Sequence, residues 1–203
     1  MPSHDKVVWS EGMLLRPQHL QQHDRYLDQQ FRTRGRMLDP FGWGISQLQV
    51  DEQLLQQGAF AISRAEGVFP DGGLFATNSR VQRLLMEVHP GKQNVLIYLA
   101  LPVVLLGADE TAPAQDDNSL TRWVSSEEDV QDSNLGSSKT VNISVAQPRL
   151  KLLLEEDLTA DYTSIPIARI KESYVDGRIE LDEQYIPPCL NVTASQRLTF
   201  FLK

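Results

Sequence analysis

A chain of 203 residues, 41% hydrophobic and 23% charged, is one ordinary globular domain, long enough to bury roughly 70% of its unfolded surface. Its formal charge of −8 is concentrated. Residues 109–134 hold eight acids against Arg122 alone, and the rest of the chain carries 18 basic against 19 acidic residues, so nothing supplies the basic footprint that binding to nucleic acid needs. No apolar run approaches the ~20 residues of a membrane span, the opening MPSHDKVVWSEG lacks a secretory apolar stretch, and the single cysteine, Cys189, excludes an internal disulfide framework. These features predict a cytoplasmic protein without direct membrane insertion.

In chain order, residues 1–16 show no clear period. Pro17 suits the first turn of a helix, where a missing N–H costs nothing. Leu20, Leu27, Phe31 and Leu38 then form a narrow apolar stripe at helical spacing, and Asp39-Pro40 ends the helix. The stripe is expected to hold the helix to its own domain or to a neighbouring protomer, because packing dominates helix stability. Beyond Pro40 the pattern turns to short alternating segments. Strands are predicted at 44–50, 59–63, 81–88, 95–106, 121–125, 140–146, 150–154, 165–171 and 177–181. Pro70-Asp71-Gly72-Gly73 is a turn by composition. Many short strands with frequent turns indicate a β-sandwich or barrel.

The acidic segment 107–119, GADETAPAQDDNS, is read as an exposed, mobile loop that folding does not need. Shortening it is expected to change stability by well under about 1 kcal/mol, because closure entropy varies slowly with loop length. Near the end, Ser195 is a plausible N-cap, and Leu198, Phe201 and Leu202 share one helical face. Two readings stand there: a short helix packed on the body, or the start of a longer one.

His19 and His23 share a helix face, which raises the question of a metal. The hydrolytic version of that spacing places Glu directly after the first histidine as general base; here Leu20 stands there, and the other histidines, His4 and His89, lie outside the helix. No metal, cofactor or catalytic residue is therefore assigned. No nucleophile elbow or phosphate-binding loop is present. Asp116-Asp117-Asn118 lacks the glycine and alternating ligands of a calcium loop. Cys189 reads as a small buried hydrophobe. What remains is the opening VVWSEGMLLRP, with Trp9, Met13, Leu14 and Leu15 ahead of any fold signal. Either it packs on its own domain, or it anchors another protein, since Trp, Met and Arg are enriched at interface centres.

The stretch WSEGMLLRPQHLQQHDRYL closely resembles the opening of the TssK family, the baseplate subunit of the bacterial type VI secretion system. The family pattern W-x-E-G-M-F-L-R-P-Q-H-F-Q-Q is matched at Trp9, Glu11, Gly12, Met13, Leu15, Arg16, Pro17, Gln18, His19, Gln21 and Gln22, with Leu14 and Leu20 where Phe is usual. The resemblance continues at Phe41-Gly42-Trp43-Gly44-Ile45, Phe69-Pro70-Asp71-Gly72-Gly73, Ile165-Pro166-Ile167-Ala168-Arg169-Ile170 and Tyr185-Ile186-Pro187-Pro188.

That resemblance implies an antiparallel β-sandwich shoulder like those of phage receptor-binding proteins. It divides the chain into a docking arm and helix at 1–38, a sandwich at 39–193, and the start of a helical neck at 194–203, so that the chain is a piece of a longer protein. It implies a structural adaptor rather than an enzyme. The adaptor would form a homotrimer, dock on the wedge subunits TssF and TssG, and reach membrane-complex proteins at the cytoplasmic face of the inner membrane only through an absent C-terminal head. The partner-binding residues it singles out are Trp9, Met13, Leu14, Leu15, Arg16, Pro17, His19 and Leu20. His23 is expected to be an exposed residue whose replacement by glutamine changes nothing. The alternative is a ligand- or carbohydrate-binding sandwich, although fold alone does not carry function and aromatics make up only 7% of the chain.

Overall fold

The computed structural model describes residues 5–77, 84–105, 107–116, 119–134 and 139–201. A long helix, α1 (Pro17–Leu38), precedes the strands. The first sheet contains β1 (Gly44–Val50), β2 (Ala59–Val68), β3 (Leu74–Ala76) and β4 (Leu84–Glu87), all antiparallel around β2. A one-turn helix, α2 (Glu52–Leu55), joins β1 to β2; the Asp51 carboxylate caps it by accepting from the Gln53 and Leu54 N–H groups. The second sheet runs β11 (Ile179–Leu181), β10 (Tyr162–Ser173), β5 (Gln93–Pro102) and β9 (Lys151–Leu154), again antiparallel.

Alternation places Ile45, Phe60, Ile62, Phe69 and Phe75 of the first layer in one core with Ile97, Leu99, Leu101, Ile165, Ile167 and Ile170 of the second. This is the mainly β sandwich that the alternating segments and the family resemblance predict. β10 contains Pro166 opposite Tyr98, where an interior strand needs every N–H. A bulge between Pro166 and Ala168 absorbs it, and the Tyr185 hydroxyl donates to the Pro166 carbonyl.

The Phe41–Ile45 and Tyr185–Pro188 patches meet in space. The Ile45 N–H donates to the Pro188 carbonyl at 2.9 Å, and the Leu190 N–H donates to the Ile45 carbonyl at 2.8 Å. Gly44 has φ +137°, and a Cβ there would lie 2.8 Å from the Pro188 oxygen, so the crossing requires glycine on both counts.

A third sheet contains β6 (Thr111–Pro113), β7 (Trp123–Gln131) and β8 (Thr140–Pro148). β7 and β8 form a long antiparallel hairpin, while β6 pairs with β7 in parallel, a departure from the all-antiparallel expectation. Strand β7 extends well past the predicted 121–125 through acidic residues, and the predicted start of the 81–88 strand, 81–83, lies outside the described residues.

The segment expected to be a free acidic loop is bound into the fold over most of its described length. β6 lies inside it, the Glu110 carbonyl accepts from the Trp123 N–H, and Arg149 holds it from below. Arg149 is only 3% exposed, and its guanidinium donates to the carbonyls of Ala112, Pro113 and Asp116 at 2.9–3.2 Å. A delocalised fork with several donors suits three backbone carbonyls gathered around one point. Residues 117 and 118 of this segment lie outside the described residues.

At the far end Ser195 caps α3 (Gln196–Phe201), its hydroxyl accepting from the Leu198 N–H as the sequence predicts.

Arg149→Ala would remove three hydrogen bonds from a buried charged donor and is expected to cost about 3 kcal/mol, a fall in Tm of roughly 6–12 °C for a chain of this size. Thermal unfolding followed by circular dichroism measures this. A Tm unchanged within error would restore the free-loop reading.

Candidate functional site

The start of α1 is built by Arg16, Pro17 and His19. Arg16 is extended at the N-cap, Pro17 supplies a helical φ, and His19 reaches back so that its Nδ1 accepts from the Arg16 N–H at 3.1 Å. This is half of a capping box, with imidazole in place of the usual carboxylate. His19 is therefore a helix-starting residue, a role that its spacing to His23 did not disclose.

Trp9 lies against both histidines. Its ring centroid is 6.3 Å from that of His19 and 6.0 Å from that of His23, the second contact nearly edge-on. His23, expected to be exposed, is half-buried by this contact. Further back, the Ser10 N–H meets the Met13 sulfur, and the Gln22 side chain donates to the Asp5 carbonyl. The described part of the arm is thus folded onto the helix start. Trp9 keeps 47% of its surface exposed, and Leu14 74%; Val8, Leu15 and Leu20 are exposed beside them. Of the eight singled-out residues, only Met13 and His19 are partly covered. The arm thus gathers Trp9, Leu14, Leu15 and Leu20 as exposed apolar surface around one helix end, more than scattered surface residues would present.

The helix itself is inverted. A surface helix normally turns its apolar stripe to the core, yet no residue of α1 is buried, and Leu20, Leu27, Phe31 and Leu38 are all exposed. The expectation that this stripe holds the helix to its own sandwich fails. The inward side carries Arg25, Gln29, Arg32 and Arg36, recurring at helical spacing. An open groove of about 260 Å³ lies under them, walled on the other side by Val103, Val104 and Trp123.

Charge holds the helix down. Arg25 pairs with Glu110 at 2.6 Å, and within the helix Asp28 steadies Arg32 at 2.8 Å. Asp71 of the Pro70–Gly73 turn then takes Arg32 at 3.3 Å and Arg122 at 2.8 Å on the same oxygen, while its other oxygen accepts from the Gly73 N–H. Arg122 is 2% exposed and also donates to the Pro102 carbonyl. Burial pulls its guanidinium below the ordinary value; Asp71 opposes that shift and nearby Arg32 adds to it. The two glycines of the turn are needed for proximity: a Cβ on Gly73 would lie 2.3 Å from the Arg122 guanidinium, and one on Gly72 (φ +84°) would lie 3.2 Å from the Arg32 Cβ. Sequence reading found the turn but not the function of its aspartate, because Arg32, Asp71 and Arg122 are far apart along the chain.

Among the described residues, no three or more His, Cys, Asp or Glu side chains are grouped to hold a metal ion, and no helix is long and apolar enough to cross a membrane. His4 lies outside the described residues.

Residues 19–203 match the family model of the bacterial type VI secretion proteins EvfL, ImpJ and VasE. The chain is 37% identical, over 204 positions, to the type VI secretion system baseplate component TssK1 of Pseudomonas aeruginosa; the match covers 100% of this chain and 46% of that protein. The chain thus spans about half the length of the curated relative it matches. A crystal structure of TssK superposes with a TM-score of 0.92 at 33% identity, over 98% of this chain and 46% of the other. The TssK–TssF–TssG baseplate subcomplex solved by cryo-electron microscopy contains a chain with the same fold, TM-score 0.83 at 24% identity, over 98% of this chain and 66% of that one.

Asp71→Ala leaves Arg122 buried without its carboxylate and removes one tether of α1. A cost of about 3 kcal/mol is expected, read as a lower urea midpoint at unchanged m, together with faster amide exchange through α1. An unchanged midpoint would show that the other ion pairs hold the helix alone.

Proposed function

The chain belongs to the TssK (VasE) family of bacterial type VI secretion proteins, and from that premise we propose that it is the docking part of a baseplate adaptor. Its partners are the wedge subunits TssF and TssG, and its docking surface is the arm and helix start formed by Trp9, Met13, Leu14, Leu15, Arg16, Pro17, His19 and Leu20. The chain divides by role at 1–38, 39–193 and 194–203, the last being the beginning of a neck. It self-associates as a homotrimer at the cytoplasmic face of the inner membrane. Its work is structural rather than catalytic.

One observation carries this reading. The arm exposes a run of large apolar side chains and yet is folded in advance, with Trp9 seated on His19 and His23 and Met13 closed onto Ser10. Such a surface binds with little further ordering, so most of the contact energy appears as affinity. Solved TssK in a subcomplex with TssF and TssG supports the choice of partners.

Co-purification with TssF and TssG tests the proposal. Leu14→Asp, at a site 74% exposed, should leave melting unchanged and weaken capture at least tenfold, the scale of about 2 kcal/mol for an anchor residue. Trp9→Ala should weaken capture as well and also loosen the helix start, since half of the indole is spent on the histidines. Full capture by both variants would sink the proposal.

A further inference from the structure

The outer part of the β7–β8 hairpin has two unlike faces. Cross-strand register puts Asp129 opposite Asn142 and Glu127 opposite Ser144 on one side. These pairs satisfy each other: the Asn142 amide donates to Asp129 at 3.0 Å, and the Ser144 hydroxyl donates to Glu127. On the other side the register pairs Val130 with Val141, Glu128 with Ile143, and Ser126 with Val145. There Val130, Val141 and Ile143 form an exposed apolar ridge, with 42%, 63% and 42% of their surface open. A two-stranded hairpin with a bare apolar face is marginal in water.

The second uncovered apolar element is the stripe of α1. We propose that the ridge of one copy packs on the Leu27–Phe31–Leu38 stripe of a second copy. This rests on the self-association proposed above and assigns its surfaces.

Three features of the two elements match. Their lengths agree: Val141 to Val145 spans about 13 Å of strand, and Leu27 to Leu38 about 16 Å of helix. Their charges are complementary, since β7 and β8 carry Glu127, Glu128 and Asp129 with no basic residue, and Arg34 is the arginine that α1 turns outward beside the stripe. Locally, Glu128 stands on the ridge face, while exposed Arg34 flanks the stripe at about 40° around the helix from it. Position is the third feature. The hairpin leaves from Trp123, which walls the groove beneath the inward face of α1, so its root lies on the side of the helix away from the stripe. Two different patches joined head to tail form a heterologous interface, which closes into a ring when the rotation allows.

Chemical cross-linking tests this. Two differently tagged versions of the protein are prepared, both carrying Cys189→Ser, one with Val141→Cys and the other with Phe31→Cys. They are mixed and treated with a short bismaleimide. A covalent species containing both tags is expected from this pair, and far less from a pair in which Thr140→Cys, on the opposite hairpin face, replaces Val141→Cys. In sedimentation, Val141→Asp should weaken self-association roughly tenfold or more with an unchanged circular dichroism spectrum. Glu128→Arg and Arg34→Glu should each weaken it, and together should restore it. Should the unsubstituted protein sediment as an oligomer yet give no mixed-tag product, with Val141→Asp harmless, this interface is overturned and self-association stands. Should it sediment as a monomer at every concentration, both are overturned.

Discussion

One carboxylate organises the surface of this molecule. Asp71 lies in a tight turn between β2 and β3, and a single oxygen of it faces both Arg32 on α1 and Arg122 at the root of the hairpin. The shared atom ties helix, sandwich and third sheet to one point. Arg122 is too buried to be left without a counter-charge, so the turn cannot move away without a large loss. The close approach also explains the two glycines after Asp71: a Cβ on Gly73 would collide with the Arg122 guanidinium, and Gly72 has a positive φ against the stem of Arg32.

An ionic attachment leaves the apolar side of α1 free. A helix packed through leucines spends its hydrophobic surface on its own domain. Here Arg25, Arg32 and Arg36 face inward, so Leu20, Leu27, Phe31 and Leu38 stay outside. The arrangement costs the isolated chain some stability and gives it an apolar surface of fixed shape. The arm repeats this logic on a smaller scale: Trp9 is positioned by two imidazoles, while Leu14 and Leu15 remain uncovered.

Much of the sandwich was legible in the sequence because strand alternation is a local signal. Ala59, Phe60, Ala61 and Ile62, or the run from Val95 to Leu101, identify themselves by composition. The helix was legible from Pro17 to Leu38, nearly to the residue. Its orientation was not, since periodicity shows that a helix has two faces but not which one is inward. The outer half of β7 was missed because Glu127, Glu128 and Asp129 resemble loop chemistry; cross-strand partners make them a strand. The acidic segment was misread for a related reason. Its anchor, Arg149, lies more than thirty residues further along, and no local pattern announces it. The two histidines were recognised as neighbours, but their common partner, Trp9, precedes the helix and shares no period with it.

The junction of Gly44 with Pro188 has a mechanical consequence. Ile45, a few residues beyond the end of α1, is hydrogen-bonded on both sides to the strand-like segment 188–190, a few residues before α3. Entry to the sandwich and exit from it are thus a single joint. A pull or twist arriving along α3 has a short route to the base of α1, through two backbone hydrogen bonds at one buried residue, and the helices at the two ends of the sandwich share that pivot.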